Sequence, residues 1–144
     1  MTATYPEDRT GMGVMTMQMC LSHLASARVG RIAFLSDGYP VIFPVNHGMD
    51  SDSVVFRTTE GTKLDAAELE LPVAFEVDGD DADRRTGWSV LVRGIARHVT
   101  DLDDVARLNA LHVWPWADAV SRTQWVRIGP HEITGRQIVH QYNY

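Results

Sequence analysis

Two apolar runs rich in β-branched residues, VGRIAFLS and PVIFPV, face each other across the turn cluster SDGYP. Asp-Gly accepts the positive φ angles of a tight two-residue turn, so this stretch predicts an antiparallel hairpin. More runs of the same kind follow: VVFRT after the turn MDSDS, then PVAFEVD, then GWSVLVRGIARHV. TQWVRI and EITGRQIVH, joined by Gly129-Pro130, supply the last strands. Pro72 heads its strand, where a missing N–H is tolerated, and Gly94 lies mid-run, where glycine marks a bulge or bend.

Helical spacing is confined to short segments. Met17, Cys20, Leu21 and Leu24 fall at i, i+3, i+4 and i+7, with Thr16 as N-cap. TKLDAAELEL puts Leu64, Ala67 and Leu71 on one helical face, and DLDDVARLNALH does so for Leu102, Val105, Leu108 and Leu111. Five or six short strands without βαβ alternation predict a mainly β (α+β) fold, an antiparallel barrel with short flanking helices. Residues 1–14 read as a flexible N-terminal segment and 15–144 as a single domain. Strand edges left by such a barrel are commonly buried by dimerisation.

Several function classes drop out. A net charge of −6 opposes general nucleic-acid binding, which draws on a basic surface. No run approaches the 18 apolar residues of a membrane span, and the N-terminus lacks a basic segment followed by an apolar one. With a single cysteine, an internal disulfide is impossible, and the expected location is the cytoplasm. EVDGDDADRR fails as a calcium loop: counted from Asp78, glycine comes second and Ser89 stands where a bidentate Glu is needed. Phosphate-loop, dinucleotide, HExxH and GxSxG motifs are absent. His23, His47, His98, His112, His131 and His140 form no i,i+4 pair and have no Cys partner at zinc spacing. Cys20 lies on the apolar stripe and reads as a buried, inert thiol. Chemistry here would fall to a cofactor.

FRTTEGTKL, Phe56 to Leu64, gathers Arg57, Lys63 and three threonines between an apolar run and a helix start. A helix N-terminus offers free N–H groups and a positive dipole end, and Arg and Lys add charge, so the segment suits an anion. A solvated strand-to-helix loop has the same composition.

Taken in order, the first helix, DGYPVIFPVNH, VVFRT, GTKL and GWSVLVRGIARHV resemble the pyridoxamine 5'-phosphate oxidase-like family, and PWA with VRIGPHEITGRQI resembles its actinobacterial branch. The resemblance spans roughly residues 17–140. It implies a homodimeric split β-barrel that binds FMN at its interface. Thr58 and Lys63 match family residues at the FMN phosphate, and Arg57 stands where the oxidase has an aromatic residue; Thr62 opens the helix beside them. Pro44, Val45, Asn46 and His47 would run beside the isoalloxazine ring. Ser89 aligns with a glutamine that reaches FMN, with Trp88 before it. Trp114 and Trp116 would supply an aromatic wall. The chain departs from the oxidase at Ile42 and His47, where the family has an arginine and a lysine. Arg136 and His140 are too far apart to reproduce the family's substrate-gripping Arg-x-His.

The resemblance implies an FMN-dependent oxidoreductase acting on a small molecule. A deazaflavin coenzyme in place of FMN is the second possibility. The third is a non-catalytic protein holding flavin or haem, with His47 as the haem ligand.

Overall fold

Asp37 and Gly38 take φ of 52° and 81°, the paired left-handed conformation of a tight hairpin turn. They join β2 (Val29–Ser36) to β3 (Tyr39–Asp50). The computed structural model describes residues 6–9, 11–59, 61–115 and 123–138. Ahead of the hairpin lie a two-residue strand β1 (Gly13–Val14) and helix α1 (Met17–Ser26). After it come β4 (Ser53–Thr58), α2 (Thr62–Glu68), β5 (Pro72–Asp81), β6 (Thr86–Val99), α3 (Leu102–Asn109) and β7 (Gln124–Ile138).

The strands form one antiparallel sheet in the order β1-β7-β4-β3-β2-β5-β6, and β7 also pairs with β6, closing a barrel. Closure depends on the length of β7. Its first residues pair with β4, Gln124 through Ile128, while residues from Trp125 to Ile138 pair with β6. The two strands expected around Gly129-Pro130 are thus one. The break is absorbed on the β6–β7 ladder, where the register shifts between Arg93 and Gly94. A Cβ on Gly94 would collide with the Gly129 carbonyl oxygen, so glycine is required at the bulge.

Alternation along the strands directs Ile32, Val45, Val54, Phe56, Phe75, Val77, Val90, Val92 and Ile128 inward to a single core. Helix α1 adds Cys20 and Leu24 to it, and α2 adds Leu64, Ala66 and Ala67. Thr16 caps α1 by accepting from the Met19 N–H at 3.2 Å, as its sequence position predicts. Burial raises the Cys20 thiol pKa, which leaves it unreactive. The stripe expected on α3 is only half used: Leu108 is buried, while Leu102 is 83% exposed. Leu108 joins Val55, Val99, Val113 and Trp125 in a second, smaller cluster on the outside of the barrel.

The N-terminal segment is drawn in where it is described. Gly13 and Val14 pair with Gln137 and Arg136, and Arg136 Nε donates to Asp8 Oδ2 at 3.0 Å.

Candidate functional site

The barrel is split along β3. Residues Tyr39–Asn46 pair with β2, but pairing with β4 covers only His47–Asp50. The His47 N–H donates to the Arg28 carbonyl on the β2 side at 3.1 Å. In an antiparallel ladder the direction alternates residue by residue, so the main-chain groups of Ile42, Pro44 and Asn46 face away from β2. Pro44 has no N–H to lose, which suits a free edge. The result is a strand edge whose main-chain groups facing away from β2, up to Pro44, have no strand partner among the described residues.

Cations line that opening. Phe56 pairs with His47, so Arg57 lies next along β4, beside Asn46 at the point where the strands part. Its Nε donates to Thr123 Oγ1 at 3.0 Å and its guanidinium lies 5.4 Å from the Trp125 ring centre. Lys63, the only lysine of the sequence, holds Nζ 4.6 Å from the Phe43 ring centre. Burial lowers the Lys63 pKa, because loss of water disfavours the charged ammonium. Gly61, with φ of 145°, precedes α2 and provides no side-chain cap, and no side chain among the described residues caps the first N–H groups of the helix. An anion at the head of α2 would meet Lys63, with Arg57 one loop away at the end of β4.

The two faces of β3 separate the residues expected beside a ring. Pro44 and Asn46 belong to the opening. Val45 does not: its side chain is 2% exposed in the core, and its main chain belongs to the β2 ladder. His47 is turned inward as well. Its Nε2–H donates to the Leu24 carbonyl at 2.8 Å, and its ring meets Phe75 edge-on at 4.9 Å. Its Nδ1 is buried without a partner. Burial holds the imidazole pKa below 6.5, so it stays neutral and cannot replace a phosphate-gripping lysine. A haem iron has no access to it.

Thr58 is buried with its hydroxyl donating to the Thr59 carbonyl at 3.2 Å, while Thr62 stands exposed at the start of α2. Trp88 and Ser89 are not brought to the opening within this chain. The Trp88 ring stacks on His23 of α1, with centroids 3.9 Å apart. Ser89 lies on the opposite face of β6, paired with Asp78 and Arg136. Trp116 lies outside the described residues, and Trp114 is exposed. The sequence reading missed Phe43 and Thr123, which position Lys63 and Arg57. Both contacts are long-range, and neither residue carries a local signal.

Residues 16–137 match the family model described as Pyridoxamine 5'-phosphate oxidase. The chain belongs to that family. The uncharacterised Mycobacterium tuberculosis protein Rv0080 is 40% identical over 121 residues, which cover 81% of this chain and 78% of the relative. The solved structure of the FAD binding protein from Mycobacterium smegmatis is 40% identical, with a TM-score of 0.74 over 88% of this chain and 99% of that one. A FAD-binding protein from Mesorhizobium loti, at 22% identity and TM-score 0.74 over 89% and 99% of the two chains, shares the split-barrel fold.

Proposed function

We propose that the protein binds a flavin at the free edge of β3 and works as a flavin-dependent oxidoreductase on a small molecule. The observation that carries this reading is the pair Arg57 and Lys63, two cations without a described carboxylate partner beside free main-chain groups. In a chain of net charge −6, cations kept apart from carboxylates and partly desolvated point to an anionic ligand. A flavin phosphate meets Lys63, Arg57 and the N–H groups that open α2. The polar edge of the ring meets the main chain of Pro44 and Asn46. Bound there, the flavin supplies two-electron chemistry, and the chain supplies placement. The phosphate belongs to FMN or to FAD, the form named for the relative from M. smegmatis.

The working form we propose is a two-fold homodimer. Val29, Leu35, Ile42 and Leu91 share the outer face of β2, β3 and β6 and are all exposed, around the paired alanines Ala33 and Ala74. Exposed apolar side chains grouped beside the Arg31–Glu76–Asp78 ion pairs suit a partner's face. A monomer in sedimentation at micromolar concentration rejects the dimer.

The flavin reading is tested by titrating flavin-free protein with FMN, FAD and riboflavin, followed by flavin fluorescence. Lys63→Ala should weaken FMN and FAD by roughly 1.5–3 kcal/mol, the size of a charge-assisted hydrogen bond. Riboflavin, lacking phosphate, should bind both proteins alike. Equal losses for all three ligands, or no loss for any, would remove the phosphate assignment.

A further inference from the structure

A cleft of about 320 Å³ opens between the end of α1, the outer side of β3 and the segment that follows α3. Arg28, Asn46, His112 and Trp114 line it. Its shape follows from Gly48: a Cβ there would come within 2.8 Å of Val113 Cγ2, so only glycine lets that segment cross β3 so closely. His112 takes φ of 55°, a left-handed conformation uncommon for a side-chain-bearing residue and concentrated at ligand clamps. Val113 is buried, whereas His112 and Trp114 on either side of it are exposed.

Arg28 is the charged group of the cleft. Its carbonyl is pinned to β3 by the His47 N–H at 3.1 Å, which fixes the base of the side chain at the rim. Several arginines of the described chain, though not Arg57, are spent on carboxylates: Arg31 on Glu76 and Asp78, Arg93 on Glu132, Arg107 and Arg127 on Asp50, Arg136 on Asp8. Arg28 has no carboxylate partner among the described residues, and the Asn46 amide has no hydrogen bond there. A guanidinium and a half-exposed amide beside an exposed indole match a flat molecule with one negative group.

We infer that this cleft is a binding site for a planar organic anion with one or two rings, its carboxylate on Arg28, its polar edge on Asn46 and its ring against Trp114. The cleft meets the flavin opening at Asn46, which makes its occupant the reaction partner. That role rests on the flavin reading, whereas binding itself does not.

The test uses flavin-free protein and two probes of equal shape, 2-naphthoate and naphthalene-2-carboxamide, titrated by calorimetry. The carboxylate should bind at least about tenfold more tightly than the amide, as one charge-assisted contact requires. Arg28→Met should abolish that preference, while Arg85→Met, which removes a positive charge from the β5–β6 turn, should preserve it. Trp114→Ala should weaken both probes by about fivefold or more. Saturating FMN should leave naphthoate binding intact. Equal affinity for the two probes, no binding of either at millimolar concentration, indifference to Arg28→Met, or displacement by FMN would each overturn the inference. Flavin binding is read separately, so its failure leaves the naphthoate result standing.

Discussion

Asn46 and His47 are neighbours on β3 and occupy opposite environments. His47 points into the barrel, where one ring nitrogen is committed to the Leu24 carbonyl and the other has no partner. Asn46 stands at the open edge, beside Arg57 and in reach of two clefts. The polar group on the inside holds structure together; Asn46 on the outside makes no side-chain hydrogen bond among the described residues. A second contrast has the same lesson. On the outer face of β2 and β5, Arg31 is shared by Glu76 at 3.2 Å and Asp78 at 2.9 Å, so its charge is neutralised within the chain. Among the described residues, Arg57 and Lys63 have no such carboxylates. Cations without a described carboxylate partner in an acidic protein are better candidates for an anion site than cations counted.

The contrast is broken most easily at His47. His47→Ala should cost about 2–4 kcal/mol of stability in denaturant unfolding, from the cavity and the abandoned Leu24 carbonyl. Flavin affinity of the folded variant should change little; a large loss would return His47 to the site. The pH dependence has a fixed sign. Because burial lowers the imidazole pKa, the unfolded chain takes up the proton first. Stability is complete above about 6.5 and falls below it as the unfolded chain protonates. His47→Gln should flatten the stability curve between pH 5 and 7.

Arg57→Ala is the next largest. It should weaken FMN by about 1.5 kcal/mol or more, measured by fluorescence titration. It should cost at most about 1 kcal/mol of stability, through the lost contacts with Trp125 and Thr123. Arg31→Met in the same assay should leave FMN affinity unchanged, and parity between the two variants would erase the distinction.

A smaller effect is expected at Glu76. Burial, and then Asp78 beside it, push its carboxyl up to about 6 against the pull of Arg31. A raised carboxyl pKa means the folded protein holds the proton more tightly, so stability falls as pH rises from about 4.5 to 6. Glu76→Gln should stabilise the protein at pH 7 by about 0.5–1 kcal/mol after allowance for its partial exposure, and should be neutral below pH 4.5. The smallest change is Asn46→Ala, with stability within about 0.5 kcal/mol of wild type. A larger loss would mean that Asn46 is structural.

What the sequence by itself determined is local. Asp37-Gly38 specified the hairpin because only such residues accept two left-handed angles in succession. Thr16 specified the start of α1 through its side-chain cap. Gly94 marked the bulge, and the apolar stripe from Met17 marked the face of α1 that enters the core. The segment holding Arg57 and Lys63 was legible as an anion candidate because its composition and its place before a helix are adjacent in the chain. The tertiary structure decided the rest, since each remaining question concerned partners far apart in sequence. Pairing of β7 with both β4 and β6 closed the barrel, although Gly129-Pro130 reads as a break. The parity of β3, set by its ladder with β2, turned Val45 and His47 inward and left Pro44 and Asn46 at the edge. Trp88 was drawn into a stack on His23 of α1, a partner distant in sequence. Strand alternation is visible in a sequence, but which of its two faces becomes the inside depends on where the chain's other strands and helices cover it.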